Sequence, residues 1–131
     1  MNDQELINQL QQASEGLLWQ SESDYPFETV YLENVNNINS KLLQNTNSTD
    51  DTTIEIRELD SFFSRVTEEK DWYNDEEIAE CQRYRDLVNL LKTHLTDIKV
   101  YRIGSCEVNC YILGQTESGS VAGLSTISVE T

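Results

Sequence analysis

The sequence predicts an α+β fold in a single domain spanning residues 1–131, because segments with the period of a strand are separated by segments with the period of a helix. Two segments carry this prediction. Between residues 105 and 113, alternate side chains fall on one face of a strand: Cys106, Val108, Cys110 and Ile112. Between residues 74 and 95, apolar side chains recur every three or four residues, as on the buried face of a long helix.

The same two patterns assign most of the remaining chain. We predict further strands at residues 27–33, 52–59, 100–103 and 120–129, and shorter helices at residues 3–13 and 61–66. About five strands then form one sheet, with the long helix on one face and the smaller helices opposite it or at the edges. Residues 17–19 are interpreted as a buried apolar segment, residues 21–26 as an exposed acidic loop, and residues 34–51 mostly as loop.

The chain is strongly acidic, with 24 Asp and Glu against 9 Lys and Arg and a net charge of −15. The acids are concentrated, because residues 1–40 contain seven of them and no Lys or Arg, and residues 50–80 contain twelve with three bases. Such a field repels nucleic acids and anionic membranes, and it attracts basic proteins and accelerates their association. A second interpretation is that the charge only keeps the protein soluble.

The thiols and the amino terminus indicate a cytoplasmic protein. Three cysteines form an odd number without a CxxC pair, which suits reduced and buried thiols. Residues 1–5 show neither the basic nor the apolar region of a signal peptide. No segment approaches the ~20 apolar residues of a membrane helix, so we expect no membrane binding.

The sequence offers little support for an enzyme and none for a cofactor of its own. It contains one histidine, His94, and no phosphate-binding, dinucleotide-binding, nucleophile-elbow or metalloprotease motif. Recognition of a basic partner is the remaining class of function. Asp71 and Trp72 stand in a run of acids ahead of the long helix, where Trp72 is either the aromatic anchor of an interface or a core residue at a helix start.

The predicted last strand continues to the final residues without a polar tail. If that strand is anchored in the sheet, Glu130 and Thr131 are held at its edge and present two carboxylates and a hydroxyl. Such oxygens can approach a hard cation or a basic pocket. The alternative is that these two residues fray in solvent, as chain ends commonly do.

Several segments spread over nearly the whole chain resemble the nuclease A inhibitor family. They are residues 12–18, 21–28, 60–65, 71–77, 100–104, 122–126 and 129–131. No single segment is a diagnostic motif, but their order and spacing together are specific. Residues 34–51 depart from the family, so whatever that region contributes in relatives does not transfer to this chain.

The resemblance implies an intracellular inhibitor of a sugar-non-specific, magnesium-dependent endonuclease. It implies an α/β/α sandwich with a largely antiparallel sheet. Carried over by position, it implies that Thr131 reaches the catalytic Mg²⁺ of the nuclease, while acids engage the basic substrate cleft. The predicted nuclease-binding residues are Glu22, Asp24, Asp71, Trp72, Glu130 and Thr131. We expect a monomer that binds the nuclease as a 1:1 complex, without binding nucleic acid itself.

Two other functions stay open. The protein is alternatively an acidic interaction module that binds another basic protein through Trp72, or an enzyme that uses surface carboxylates. A DNA-degradation assay with a non-specific nuclease at several salt concentrations separates the inhibitor from both.

Overall fold

The computed structural model describes residues 2–20, 23–33, 54–104 and 107–129. In this part of the chain the elements are α1 (Asp3–Ser14), β1 (Leu18–Gln20), β2 (Asp24–Pro26), β3 (Glu28–Leu32), β4 (Ile54–Arg57), α2 (Leu59–Thr67), α3 (Asp75–His94), β5 (Thr96–Ile103), β6 (Glu107–Gln115) and β7 (Val121–Val129). Five strands form an antiparallel sheet in the order β3-β7-β6-β5-β4, and β1 pairs with β2 separately. The predicted α+β class, five-stranded sheet and antiparallel pairing are confirmed.

The long helix α3 forms where the sequence predicts it, and both of its ends have local causes. The Asn74 side chain accepts a hydrogen bond from the Glu77 backbone N–H at 2.8 Å, and the Glu77 carboxylate accepts one from the Asn74 N–H at 3.3 Å. This reciprocal pair satisfies two amides that the first turn leaves free. Acids fill the first turn, and Lys92 and His94 lie in the last, so the charges complement the helix dipole.

The two shorter helices also form near their predicted positions. Asn2 caps α1 by accepting a hydrogen bond from the Glu5 N–H at 2.8 Å, and Gly16, with a φ of 79°, follows its end. In α2, Glu58 occupies the N-cap position without a side-chain cap bond. Asp60, at which the sequence also suggests an N-cap for this helix, lies instead inside the first turn, where its charge suits the helix dipole.

All three described helices pack on one face of the sheet. Their buried side chains meet those of the inner strands in the main core, which includes Leu10, Phe63, Tyr84, Leu87, Leu91, Val100, Cys110, Ile112 and Leu124. Both shorter helices contact α3, with α1 lying toward β3 and β7 and α2 toward β5. The smaller helices thus flank the long one toward the two edges of the sheet.

The second face of the sheet carries a smaller apolar cluster. It consists of Tyr101, Ile103, Leu113 and Val121, which are buried, and of Val30, Leu32, Ile54 and Tyr111, which are partly buried against them. Among the described residues, the helices contribute nothing to this cluster. The second helical layer of the predicted sandwich therefore stays a prediction.

A hairpin occupies the region that was predicted as a buried segment followed by an acidic loop. Strands β1 and β2 pair with Leu18 opposite Pro26. Leu17 and Trp19 are buried as expected, but Leu18 between them is 40% exposed. Each strand has three residues, too few for an alternating pattern to identify it. Pro26 indicates a loop by sequence, but a short edge strand tolerates it because one side of the ladder needs no N–H.

Two strand boundaries also differ from the prediction. β5 begins at Thr96 rather than at residue 100. Its first residues are irregular, because Asp97 has a φ of 51° and the register with β6 shifts between Thr96 and Lys99. This irregularity breaks the alternation on which the prediction depends. β4 ends at Arg57 rather than at residue 59, since Leu59 belongs to α2.

Candidate functional site

The carboxyl end of β7 is the first component of the candidate site. Val129, the last described residue, is paired with Glu107 at the start of β6. On the other side, the Thr126 hydroxyl donates a hydrogen bond to the Pro26 carbonyl oxygen at 3.1 Å, which docks the β1–β2 hairpin against β7. Because β3 runs antiparallel to β7 and the hairpin precedes β3, Asp24 lies toward the end where Val129 and Glu107 lie.

The helix α3 can be aligned with β7 from contacts at two points. Its carboxyl end leads directly into Thr96, which pairs with Gln115 at the opposite end of the sheet. In its middle, the Tyr84 hydroxyl donates a hydrogen bond to the Leu18 carbonyl oxygen at 2.6 Å, at the level of the hairpin. From Leu95 back to Tyr84 the helix covers about 16 Å at about 1.5 Å per residue, which matches a similar length of β7.

The amino end of α3 therefore reaches the carboxyl end of β7. From Tyr84 back to Asp75 the helix covers a further ~14 Å. From Thr126 forward to Val129, β7 covers about 10 Å. The first turn of α3 and the loop before it thus lie at the same end of the molecule as Val129 and Asp24.

We call this surface the acidic end and define it by Asp24, Asp71, Trp72, Glu107 and residues 75–77. All of these side chains are exposed. Among the described residues, the ion pairs within 4.0 Å include none with Asp24, Asp71 or Glu107. These carboxylates therefore face solvent with their charge available to a partner.

Trp72 is the most exposed large apolar side chain among the described residues, at 77%. Its ring contacts that of the next residue, Tyr73, edge to face with the centroids 6.1 Å apart. The interpretation of Trp72 as a core residue is therefore wrong. An exposed tryptophan with acidic residues on both sides of it in the chain is typical of the aromatic anchor of an interface.

The loop that presents Trp72 is fixed at its base by Arg85 of α3. The Arg85 Nε donates a hydrogen bond to the Thr67 carbonyl oxygen at 2.8 Å, and its guanidinium lies 3.8 Å from the Glu69 carboxylate. A turn closes when the Tyr73 N–H donates to the Lys70 carbonyl oxygen at 3.1 Å. Since the loop is ordered before binding, less conformational entropy is lost when Trp72 meets a partner.

The hairpin that carries Asp24 is fixed by aromatic packing. Trp19 is buried and stacks on Phe62 with the ring centroids 4.4 Å apart, and the Arg65 guanidinium lies 4.4 Å over the Trp19 ring. Burial raises the pKa of the Tyr84 hydroxyl far above its ordinary value, so it remains the donor that binds Leu18. The two contacts that fix the hairpin, Trp19 with Phe62 and Tyr84 with Leu18, are therefore made by side chains of the main core.

Three of the predicted site residues, Asp24, Asp71 and Trp72, are exposed in the structure, and the strand and helix lengths given above direct them toward the acidic end. The other three lie outside the described residues: Glu22, Glu130 and Thr131. Their described neighbours, Ser23 and Val129, belong to the hairpin and to β7 at the acidic end. Sequence reasoning missed Glu107, because its place beside Val129 depends on the register between β6 and β7.

The remaining titratable groups add no second centre in the described part of the chain. Cys81 and Cys110 are buried, as expected, and burial raises the pKa of the Cys81 thiol; Cys106 lies outside the described residues. Within the described ranges, no three His, Cys, Asp or Glu side chains are grouped so that they could hold a metal ion. In the same residues, no helix is long and apolar enough to cross a membrane.

The fold and this surface define a class of protein: a small acidic α+β domain that presents carboxylates and an exposed aromatic ring at one end. Comparison with family models supplies the particular family. The model described as nuclease A inhibitor-like protein matches residues 4–131, which is nearly the whole chain. The chain belongs to the nuclease A inhibitor-like family, so the resemblance seen in the sequence is confirmed. Comparison with curated proteins gave no match.

Proposed function

We propose that this protein inhibits a sugar-non-specific, magnesium-dependent endonuclease by placing its acidic end in the substrate cleft. Family membership supports the role of nuclease inhibitor. A cleft that binds phosphates is positively charged, so an array of fixed carboxylates can occupy it in place of the nucleic acid backbone. The observation that carries the proposal is the exposure of Trp72, at 77%, and of the Asp24 and Asp71 carboxylates, which the strand and helix lengths direct toward the carboxyl end of β7.

In this proposal Thr131 contacts the catalytic Mg²⁺ of the nuclease. Thr131 lies two positions beyond the anchored Val129, so it can reach at most ~7 Å beyond the described strand. Its hydroxyl and terminal carboxylate would replace phosphate oxygens, which are the ligand type that Mg²⁺ prefers. Glu22 and Glu130 would approach the same cleft from the hairpin and from β7. The metal belongs to the nuclease, and the inhibitor supplies no cofactor of its own.

The proposed complex contains one inhibitor and one nuclease and forms in the cytoplasm. An inhibitor that fills the cleft should block both DNA and RNA degradation, because the cleft is shared by both substrates. The test is titration of a non-specific nuclease with this protein while both degradation rates are followed. Inhibition of both should saturate near one molecule per nuclease. Degradation that continues unchanged at a large excess of the protein would overturn the proposal.

The alternative function, an acidic module for another basic protein, rests on Trp72. An exposed tryptophan among carboxylates suits a basic partner of any activity. The two functions differ in competition with substrate. An inhibitor seated in the cleft is displaced from the nuclease by excess nucleic acid, whereas a module for another basic protein does not compete with the substrate of the nuclease. Binding that leaves degradation unaffected supports the module.

A further inference from the structure

A pocket on the second face of the sheet lies beside the acidic end. Glu28 of β3, Ser125 of β7 and Tyr111 of β6 form one cross-strand row, because Glu28 pairs with Ser125 and Ser125 pairs with Tyr111. Neighbouring strands lie about 4.8 Å apart, so Glu28 and Tyr111 stand about 10 Å apart across Ser125. The small Ser125 side chain leaves the space between them open, and the cavity there measures about 210 Å³.

The walls of this pocket come from four strands, β2, β3, β6 and β7. Tyr25 and Pro26 of the hairpin close one side, and Asn109 and Ile127 form the next row of the sheet. Ile127 is two residues from Val129, so the pocket opens about 7 Å from the carboxyl end of β7. A surface that contacts the acidic end would therefore also cover the pocket.

The chemistry of the pocket suits a cation. The walls contain two tyrosine rings and the exposed carboxylate of Glu28, and none of the described residues that line it is Lys or Arg. Among the described residues, no ion pair within 4.0 Å includes Glu28. Burial is the main cause that raises the pKa of the Tyr111 hydroxyl, and the negative charge of Glu28 is the second. The Glu28 carboxylate is therefore close enough to influence a group in the pocket wall. Carboxylates and aromatic faces both attract a guanidinium.

We propose that this pocket, lined by Glu28, Tyr111, Tyr25 and Ser125, binds an arginine side chain of the basic partner. The size of the cavity supports a single side chain, because pockets for small-molecule ligands typically measure about 300 Å³ or more. Arginine is favoured over lysine since its planar group can stack on a tyrosine ring while it pairs with a carboxylate. This inference rests on the proposed function for the identity of the partner, but not for the chemistry of the pocket.

The first test measures the affinity for a non-specific nuclease. Glu28→Gln removes the charge while keeping the shape, and Ser125→Leu fills the space while keeping the charge. Each should weaken binding about tenfold, since a pairing between a guanidinium and a carboxylate is lost in both. The matched control is Glu117→Gln, also an exposed acid, in the turn at the opposite end of the sheet, which should change affinity less than about twofold. Thermal unfolding of each variant verifies that the fold is kept.

A second test examines the pocket without the nuclease. Blocked arginine and its neutral analogue, blocked citrulline, are titrated into the protein while the ring signals of Tyr25 and Tyr111 are followed by NMR. Arginine should produce saturable shifts that disappear in Glu28→Gln, and citrulline should not. If the native protein inhibits the nuclease but neither pocket variant weakens binding, the pocket inference is overturned and the proposed function stands. If the native protein does not inhibit, the proposed function fails, and the arginine titration alone decides the pocket.

Discussion

The two ends of the sheet use carboxylates in opposite ways. At the end away from the acidic end, the Asp3 carboxylate accepts hydrogen bonds from the hydroxyls of Tyr31 at 2.7 Å and Ser118 at 2.6 Å. The hydrogen bond from Ser118 lowers the pKa of the Asp3 carboxyl group most, and the hydrogen bond from Tyr31 lowers it further. The Ser120 hydroxyl lies 3.1 Å from the Tyr31 oxygen, within hydrogen-bond distance, so α1 is tied to β3 and to the turn between β6 and β7. At the acidic end, Asp24 and Asp71 are exposed and take part in none of the ion pairs among the described residues.

This difference separates a structural acid from one that is available for recognition. A carboxylate that accepts hydrogen bonds from several hydroxyl groups has its charge stabilised within the fold, and it contributes to the stability of the folded state. A carboxylate left in solvent contributes little to folding, but it keeps its charge for a partner. We therefore expect substitutions at the acidic end to change binding, and substitutions around Asp3 to change stability.

The largest expected effect concerns the acidic end as a whole. The association rate with a basic nuclease should fall about a hundredfold as salt rises from about 0.02 M to about 0.5 M, because screening shortens the reach of the charges. Asp71→Asn should flatten this dependence more than Glu117→Gln does at the other end. Stopped-flow fluorescence of Trp72 provides the rate. A rate independent of salt would mean that the net charge serves solubility alone.

The next effect in size concerns Trp72. Trp72→Ala should weaken nuclease binding by about 2 kcal/mol, roughly thirtyfold, because an exposed anchor contributes through the partner surface that it covers. The free energy of unfolding should hardly change, since the ring is 77% exposed. Ile56→Ala is the matched control, because Ile56 on the edge strand β4 is 50% exposed and lies outside the acidic end. Equal losses of affinity in both variants would remove Trp72 from the site.

A smaller loss is expected from the residue proposed to reach the metal. Deleting Thr131 should reduce inhibition at least about tenfold, or ~1.4 kcal/mol, while the unfolding temperature stays the same. Adding residues after Thr131 should reduce it similarly, because the carboxylate becomes an amide. Degradation assays at fixed Mg²⁺ provide the measurement. If an extended protein inhibits as well as the native one, the acidic surface alone carries the binding.

The smallest effect on binding is expected at the opposite end. Asp3→Asn should leave nuclease inhibition unchanged and lower the stability of the fold at neutral pH. The folded pKa of Asp3 is lowered from its ordinary value of 3.8, so its stabilising contribution is present above that value and is lost as pH falls through the folded pKa. Unfolding curves of native and variant protein should therefore converge at low pH. A stability difference that is constant with pH would argue against the hydroxyl cluster as its cause.

The sequence was sufficient for those elements that repeat a pattern over many residues. The long helix could be predicted because its stripe includes Tyr84, Val88 and Leu91 at spacings of three and four, and all three are buried. The first residue of that stripe, Ile78, is 38% exposed, since it lies beyond the edge of the core near the acidic end. The hairpin could not be predicted, because three-residue strands have no period to detect.

The sequence indicated which residue types the candidate site contains, but not how their side chains are oriented. Asp71 and Trp72 are conspicuous in sequence, but local patterns do not tell whether an aromatic ring before a helix points into the core or into solvent. The pocket beside Glu28 escaped sequence analysis for a different reason. It requires the register of β3, β7 and β6, whose paired residues Glu28 and Ser125 are far apart in the chain.

The position of β7 between β3 and β6 has a consequence for when the fold can form. Among the described strands, β3 pairs with β7 alone, so residues 28–32 have no partner in the sheet until residues 121–129 have been synthesised. Closing such a long stretch of chain is entropically costly and slow. A nascent chain on the ribosome therefore completes its sheet only after β7 emerges. Both flanks of the acidic end, the docked hairpin and the end of β7, then become ordered in that same late step.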